Sequence, residues 1–178
     1  MTKENILSEA GNIFNELTQT CSGIDETLFF ERLGQKWSIA ENIQHLIIST
    51  NTTTLAYMLP KFVVRIVGGK PNRPSRSFDQ LSAKYYQKLE EGGKASPRYV
   101  PKPIEVKQGK EKLLHSWEKA TQSFISALGN KRTDQDLDRY LVKHPLLGRI
   151  TLRELCYFTI FHTDHHLQTI RNNMQQKA

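Results

Sequence analysis

The sequence of 178 residues predicts an all-α protein built as a four-helix bundle. Three observations lead to this prediction. Four long segments carry apolar residues at the period of about 3.6 residues that is typical of a helix with one buried face. Two of these segments begin with a capping box, and no segment shows the apolar–polar alternation of β-strands. A chain of this length can bury one sizeable core, so we expect a single domain over residues 1–178.

The first two long helices are expected in the N-terminal third of the chain. Residues 3–20 place their apolar side chains on one helical stripe. Ser38 and Glu41 have the spacing of a capping box and predict the start of the second helix, which should run to about Met58. This helix includes the threonine-rich residues 51–54, which have poor intrinsic helix propensity. We therefore expect tertiary packing to hold that part of the helix.

Shorter helices and a long connection separate the long helices. One short helical turn is expected over residues 25–32. Residues 60–106 form a long connection with a glycine- and proline-rich loop at residues 68–74 and a short helix over residues 78–91. A connection of this length allows the next long helix to run parallel to the second one.

The third and fourth long helices follow this connection. The third is expected over residues 106–128, and Gly129-Asn130 should supply its C-terminal cap. Residues 131–150 are polar and turn-like, and no strand is expected there. Thr151 and Glu154 form a second capping box, which predicts the start of the last helix.

The net charge of +7 raises the question of nucleic-acid binding. Many of the cationic residues lie between Lys61 and Lys112, where they are spread along the chain instead of clustering on one helix face. No stacking-aromatic motif of an RNA-binding module accompanies them. We therefore do not expect a nucleic-acid partner. Nor do we expect a membrane span, because no apolar run approaches the roughly 18 residues that one needs.

The cysteines and the N-terminus predict a cytoplasmic protein. Cys21 and Cys156 are far apart in the sequence, and two such cysteines are more typical of reduced thiols than of a disulfide framework. The first residues enter an amphipathic helix without the apolar core of a secretory signal. The cytoplasm is therefore the expected location.

Three of the six histidines lie within residues 162–166, inside the last predicted helix. His162 and His166 are four residues apart, an offset of about 40° that places both imidazoles on one helix face. They share that face with Leu152 and Leu155, so both should point into the bundle. His165 points roughly 100° away from His166. The pair can supply two nitrogen ligands to a metal ion, and a third ligand must come from elsewhere.

The three remaining histidines differ as candidates for the third ligand. His115 shares a helix face with charged and amide side chains, so it is expected to face solvent. His144 precedes a proline in a predicted loop, where it should shape or cover the entrance of the site. His45 lies about two turns inside the second helix, on a face with Ile48. Spacing alone leaves two interpretations of His45, a core histidine bonded to a carbonyl or hydroxyl group, or the third ligand.

Three stretches together resemble the DinB/YfiT-like metalloproteins. They are the Trp37-Ser38-Ile39-Ala40-Glu41 helix start with the sequence through Leu46, residues 144–151, and residues 161–170 with their His162-x-x-x-His166 pair. The resemblance extends over nearly the whole chain. It implies a bundle in up-down-down-up order and a divalent metal ion, zinc or nickel. It also implies that His45, His162 and His166 are the metal ligands.

The resemblance also implies a range of functions. Relatives include metal-dependent hydrolases and transferases that use small thiols such as bacillithiol or mycothiol, and other members have no assigned reaction. The chain is therefore expected to be a metal-dependent hydrolase or thiol-dependent transferase that acts on a small molecule. The alternative is a non-catalytic bundle that binds a metal or small ligand in a structural or stress-related role. Members of this family often pair, so a homodimer is also expected.

Two residues are candidates for catalysis beside the metal ligands. Three neutral imidazoles leave an open metal position for water or a thiolate, and they suit zinc or nickel. Glu41 lies one turn before His45 on nearly the same face, where it is either a proton acceptor near the metal or only a capping residue. His165 is either a hydrogen-bond partner near the metal or a residue at the rim of the site.

Overall fold

The computed structural model describes residues 1–94 and 96–175, and it confirms the all-α class. In chain order the elements are α1 (Lys3–Ser22), α2 (Glu26–Phe30), α3 (Ile39–Met58), α4 (Lys61–Gly68), α5 (Phe78–Glu90), α6 (Lys110–Lys131), α7 (Asp134–Arg139), β1 (Leu141–His144), β2 (Gly148–Thr151) and α8 (Leu152–Gln175). The four long helices are α1, α3, α6 and α8, and both α1 and α3 pack against α6 and α8. Within the described ranges, no helix combines the length and apolar character needed to cross a membrane.

Contacts between helix ends agree with the up-down-down-up order, which stays a prediction. Lys110 at the start of α6 donates from Nζ to the carbonyl oxygen of Ser22 at the end of α1, over 2.7 Å. The Tyr57 hydroxyl near the end of α3 donates to the carbonyl oxygen of Leu152 at the start of α8, over 3.1 Å. Arg132, just after α6, donates to carbonyl oxygens at the end of α3. These pairs place α1 antiparallel to α6, α3 antiparallel to α8, and α3 alongside α6 in the same direction.

The capping box at the start of α3 is confirmed. The Ser38 hydroxyl accepts from the backbone N–H of Glu41, and the Glu41 carboxylate accepts from the backbone N–H of Ser38 over 2.8 Å. The helix continues through its threonine-rich part as expected. Thr54 is buried there, and its hydroxyl donates to the carbonyl oxygen of Thr50 one turn earlier. Packing and these local hydrogen bonds outweigh the poor helix propensity of threonine.

Both predicted ends of the third long helix were wrong. Residues 106–108 form a separate 3₁₀ turn, and Gly109, with a φ of 77°, divides that turn from α6. At the other end, α6 continues through Gly129-Asn130 to Lys131. Lys3 of α1 donates from Nζ to the carbonyl oxygens of Gly129 and Arg132, over 2.9 and 3.1 Å. A lysine from another helix therefore donates the hydrogen bonds that carbonyl oxygens at the end of α6 need. The residues around the end of α6 do not predict this contact.

Residues 131–150 contain regular structure that the sequence analysis did not predict. Strands β1 and β2 form an antiparallel hairpin in which Val142 lies opposite Ile150, and His144 ends β1 instead of lying in a loop. The strands have only four residues each, too few for a clear alternation pattern. Helix α7 begins with a capping box between Thr133 and Asp136, a sequence signal that could have predicted it.

The long connection covers one side of the bundle. Helix α4 begins directly after Pro60 and packs tightly on β1, since a Cβ atom at Gly68 would lie 1.7 Å from the carbonyl oxygen of Leu141. Helix α5, which was predicted, packs on α8. As a result every residue from Leu152 to Thr163 in α8 is buried, and the predicted buried stripe is only part of a helix enclosed on all sides. The capping box of Thr151 with Glu154 is confirmed.

Candidate metal centre

Three histidine nitrogens converge where α3 faces α8. His45 comes from α3, and His162 and His166 lie one turn apart on α8. Nε2 of His162 lies 3.1 Å from Nε2 of His45 and 3.2 Å from Nε2 of His166. Two nitrogen ligands at about 2.0–2.1 Å from one zinc ion lie about 2.8–3.4 Å apart when the bond angle is about 90–110°. The two distances from His162 are those of ligands to one metal ion, and the candidate ligand atoms of the three histidines all lie within 4.8 Å of one another.

Hydrogen bonds to the opposite ring nitrogens assign the tautomers of two histidines. Nδ1 of His45 lies 2.7 Å from the carbonyl oxygen of Tyr99, and Nδ1 of His166 lies 2.7 Å from Oδ1 of Asn42. Nδ2 of Asn42 donates to the carbonyl oxygen of Ser38 over 2.8 Å, which fixes the orientation of the amide. Both acceptors are oxygens, so each Nδ1 carries the hydrogen and each Nε2 presents a lone pair. Metal-binding histidines are commonly oriented in this way.

The electrostatics of this cluster favour a cation among the three rings. Burial lowers the pKa of His45, and it lowers the pKa values of His162 and His166 well below 6.5, with a further contribution from the neighbouring imidazoles. All three rings are therefore neutral near pH 7. A hydrogen on Nε2 of His162 can point at only one of its two neighbours, which leaves a buried lone pair unmatched. One metal ion would bind all three lone pairs.

Aromatic rings enclose the three imidazoles. Phe158 stacks on His162 with ring centres 4.6 Å apart and an angle of 20° between the planes. Trp37 lies parallel to His166, with centres 6.3 Å apart and an angle of 8°, and its ring centre lies 5.1 Å from that of His45. These apolar rings restrict the imidazole orientations and keep water away from the sides of the cluster.

A cavity of about 470 Å³ opens over the histidines. This volume lies within the range of about 300–1,000 Å³ that is typical of small-molecule sites. His45, His162 and His166 all line the cavity, together with residues from α3, α4, α5, α8, the hairpin and residues 96–99. The candidate ligands are thus accessible from one side, which is the arrangement of a metal site with an open coordination position.

A sequence profile described as the DinB superfamily matches residues 6–170. The chain belongs to the DinB superfamily. No curated protein matches the chain in a sequence search. The family that the Trp37–Glu41 helix start and the His162/His166 pair indicated is thus confirmed, and the structure brings the three implied ligands of this DinB-superfamily chain together.

Glu41 has a structural role at the start of α3 in this DinB-superfamily protein. Its buried carboxylate accepts hydrogen bonds from the Arg32 guanidinium and from the backbone N–H of Ser38. Burial alone would raise the pKa of Glu41, but these hydrogen bonds and the charge of Arg32 bring the pKa below its usual value of 4.5. The carboxylate is therefore a weak base. The catalytic assignment of Glu41 stays a prediction.

His165 and His144 both line the cavity beside the candidate ligands. The ring of His165 lies 5.4 Å from that of His166, and its pKa is lowered by burial against the opposing effect of Asp164. The ring centre of His144 lies 4.2 Å from that of Phe158, and its role at the entrance stays a prediction. Its Nδ1 accepts from two backbone N–H groups of the hairpin turn, and burial lowers its pKa to about 4.

One further histidine lies away from the cluster, and two groups that contact the cluster had no predicted role. His115 is exposed on α6, beside Glu118, in agreement with its exclusion. Asn42 was not predicted as a partner of His166, although it lies three residues before His45 on the same helix. The carbonyl oxygen of Tyr99 was also missed. A backbone group from an irregular segment has no side-chain signature in the sequence.

Proposed function

We propose that this DinB-superfamily protein binds a divalent metal ion, zinc or nickel, through His45, His162 and His166. It then acts on a small molecule as a metal-dependent hydrolase or a thiol-dependent transferase. The observation that supports this proposal is the convergence of three neutral imidazole nitrogens at the floor of an open cavity. A metal ion at such a site supplies Lewis-acid chemistry, which lowers the pKa of a water molecule or thiol that reaches it.

The residues around the cluster have separate roles in this proposal. Asn42 and the Tyr99 carbonyl orient two of the three imidazoles, and Trp37 and Phe158 exclude water from their sides. His165 is the stronger candidate for a proton acceptor, because it lines the cavity and its lowered pKa keeps it neutral near pH 7. Glu41 is the weaker candidate, since its carboxylate already accepts hydrogen bonds from Arg32.

Metal analysis of purified protein tests the ligand assignment. Protein prepared without chelator should contain one equivalent of metal, and the His162→Ala variant should contain almost none, because one of three ligands is removed. His115→Ala is the matched control, since it removes an exposed histidine on α6. Stoichiometric metal in the His162→Ala protein would show that the assignment is wrong.

A cobalt-substituted sample separates the two proposed reactions. A low-molecular-weight thiol that binds as a thiolate should add a sulfur-to-cobalt charge-transfer band to the absorption spectrum. The appearance of this band with the wild-type protein would favour the transferase. A spectrum that responds to pH but not to thiols would favour the hydrolase, in which water occupies the open position.

One observation favours the alternative of a non-catalytic binding protein. Among the described residues that line the cavity, none is an aspartate or glutamate, so the cavity lacks the carboxylate that often serves as a general base. In that case the metal would stabilise the contact between α3 and α8. A large loss of thermal stability after chelation, without an exchangeable metal-bound water, would support this alternative.

Two further expectations belong to the same proposal. Both cysteines, Cys21 and Cys156, are buried free thiols, which is compatible with the proposed cytoplasmic location. A homodimer is proposed from the family resemblance, and sedimentation of the purified protein would test it.

A further inference from the structure

An apolar wall leads away from the histidines inside the cavity. Its members are aliphatic or aromatic side chains from five elements of the fold, among them Ala56 of α3, Val64 of α4, Leu89 of α5, Val142 of β1 and Phe158 of α8. Burial of a ligand against such a wall is favourable in proportion to the apolar area removed from water. The wall is therefore suited to the apolar body of a ligand.

Apolar side chains are also exposed at the cavity mouth. Leu55 and Val67 line the cavity, yet they are 56% and 71% exposed. On the same two helices, Met58 of α3 and Phe62 and Ile66 of α4 are 60%, 67% and 78% exposed. An exposed apolar patch of neighbouring residues is typical of a binding surface. Leu55 and Val67 join this patch to the cavity, since both side chains line it.

The charged side chains of the cavity are all cationic apart from its histidines. They are Arg98 and Lys143, both exposed at the mouth, and no acidic residue occurs among the described lining residues. Within the described part of the chain neither cation is paired with a carboxylate; Arg98 lies over the Tyr99 ring and contacts its hydroxyl. Unpaired cations at a cleft with apolar walls attract anionic ligands.

Each cation directly precedes a residue that lines the cavity together with the histidines. Arg98 directly precedes Tyr99, whose carbonyl oxygen accepts a hydrogen bond from Nδ1 of His45. Lys143 directly precedes His144, whose ring packs on Phe158. We infer that the cavity binds an amphiphilic organic anion, whose anionic group lies at the mouth between Arg98 and Lys143 and whose apolar chain or ring lies along the wall. This inference rests on the proposed function, because it names the substrate class of the same site.

Calorimetric titration with three ligands of equal chain length tests the inference. Decanoate, decanol and decyltrimethylammonium, each used below its micelle-forming concentration, carry a ten-carbon chain with an anionic, a neutral and a cationic head group respectively. Decanoate should bind with the highest affinity. The double variant R98E/K143E should lower the affinity for decanoate by at least about tenfold, because both cations that face the carboxylate become anionic. Decanol should be unaffected by that double variant.

Matched variants separate the head group from the apolar body. Lys112→Glu reverses an exposed lysine on α6 outside the cavity, so it should leave decanoate binding unchanged. Ala56→Trp places a large side chain in the cavity at its apolar wall, so it should weaken the binding of decanoate and of decanol alike. Equal binding of decanoate and decanol by the wild-type protein would overturn the inference, as would decanoate binding that survives R98E/K143E.

Metal content measured on the same samples distinguishes this inference from the proposed function. Decanoate binding by a protein that takes up no metal would support the inference while the proposed function fails. Metal uptake without any decanoate binding would support the proposed metal site and overturn the inference. Decanoate binding that requires metal and ignores R98E/K143E would place the anionic group at the histidines and overturn its assignment to the mouth.

Discussion

The floor and the mouth of the cavity differ in the burial and in the chemistry of their side chains. The floor consists of His45, His162 and His166, all buried on two long helices and oriented by hydrogen bonds and aromatic rings. The mouth consists of the short helix α4, residues 96–99 and the hairpin, with exposed aliphatic and cationic side chains. The rigid floor suits the chemistry at a metal, whereas the exposed mouth suits the selection of what reaches it. Substitutions should therefore have different effects in the two regions.

The largest expected effect is the removal of a ligand from the floor. His45→Ala removes one of three candidate ligands, so metal affinity should fall by more than about 100-fold, since loss of a partner outside the coordination sphere alone costs about 10–100-fold. Competition with a chromogenic chelator measures the affinity. An affinity within a few-fold of wild type would show that His45 is a core histidine and not a ligand.

The next largest effect concerns the orientation of His166. Asn42→Leu removes the acceptor at Nδ1 of His166 and should lower metal affinity by about 10–100-fold while the ligands stay in place. Asn42→Asp retains an acceptor oxygen for His166 but loses the donor to the Ser38 carbonyl oxygen, so its metal affinity should fall less than that of Asn42→Leu. If both variants bind metal equally well, the hydrogen bond does not contribute to the site.

A smaller effect is expected from the pH dependence of stability. Burial lowers the pKa of His144 from 6.5 to about 4 in the folded protein, so between these values the unfolded chain binds more protons. The free energy of unfolding should therefore rise as the pH rises from about 4 to 6.5, with a contribution from His144 on the order of 2 kcal/mol.

Chemical denaturation of metal-free protein at several pH values measures this dependence. His144→Phe cannot take up a proton, so the slope of unfolding free energy against pH should become shallower in this window. The buried histidines of the floor remain and keep part of the slope. An unchanged slope in His144→Phe would contradict the contribution assigned to His144.

The smallest effect is expected for the exposed apolar residues of the mouth. F62S/I66S changes two side chains that are 67% and 78% exposed, so the free energy of unfolding should change by less than about 0.5 kcal/mol per substitution, and metal affinity should not change. Thermal denaturation and chelator competition measure both quantities. A loss of metal affinity in this variant would show that the floor and the mouth are coupled.

The parts of the site that were predictable are those that local geometry decides. His162 and His166 are four residues apart, and any α-helix places such a pair on one face. The capping boxes of Ser38 with Glu41 and of Thr151 with Glu154 are local as well, and both are confirmed. His45 is distant in sequence, and spacing left its role open. The family resemblance assigned it, and the structure places its Nε2 beside that of His162.

The errors occurred where contacts distant in sequence decide the outcome. The end of α6 depends on Lys3 of α1, which lies far away in the chain. The hairpin of β1 and β2 was missed because its strands are short, and helix α4 holds it by close approach at Gly68. Helix α7 is an exception, because its capping box of Thr133 with Asp136 is a local signal from which the helix could have been predicted.

The sequence by itself determined the all-α class, the superfamily and the shared face of two histidines, because helical periodicity and motif spacing are properties of neighbouring residues. Only the tertiary structure decided which groups meet across helices. The Tyr99 carbonyl at His45, the Asn42 amide at His166 and the apolar wall with its two cations arise from segments far apart in the chain. Their proximity depends on how the helices pack, and no local pattern specifies it.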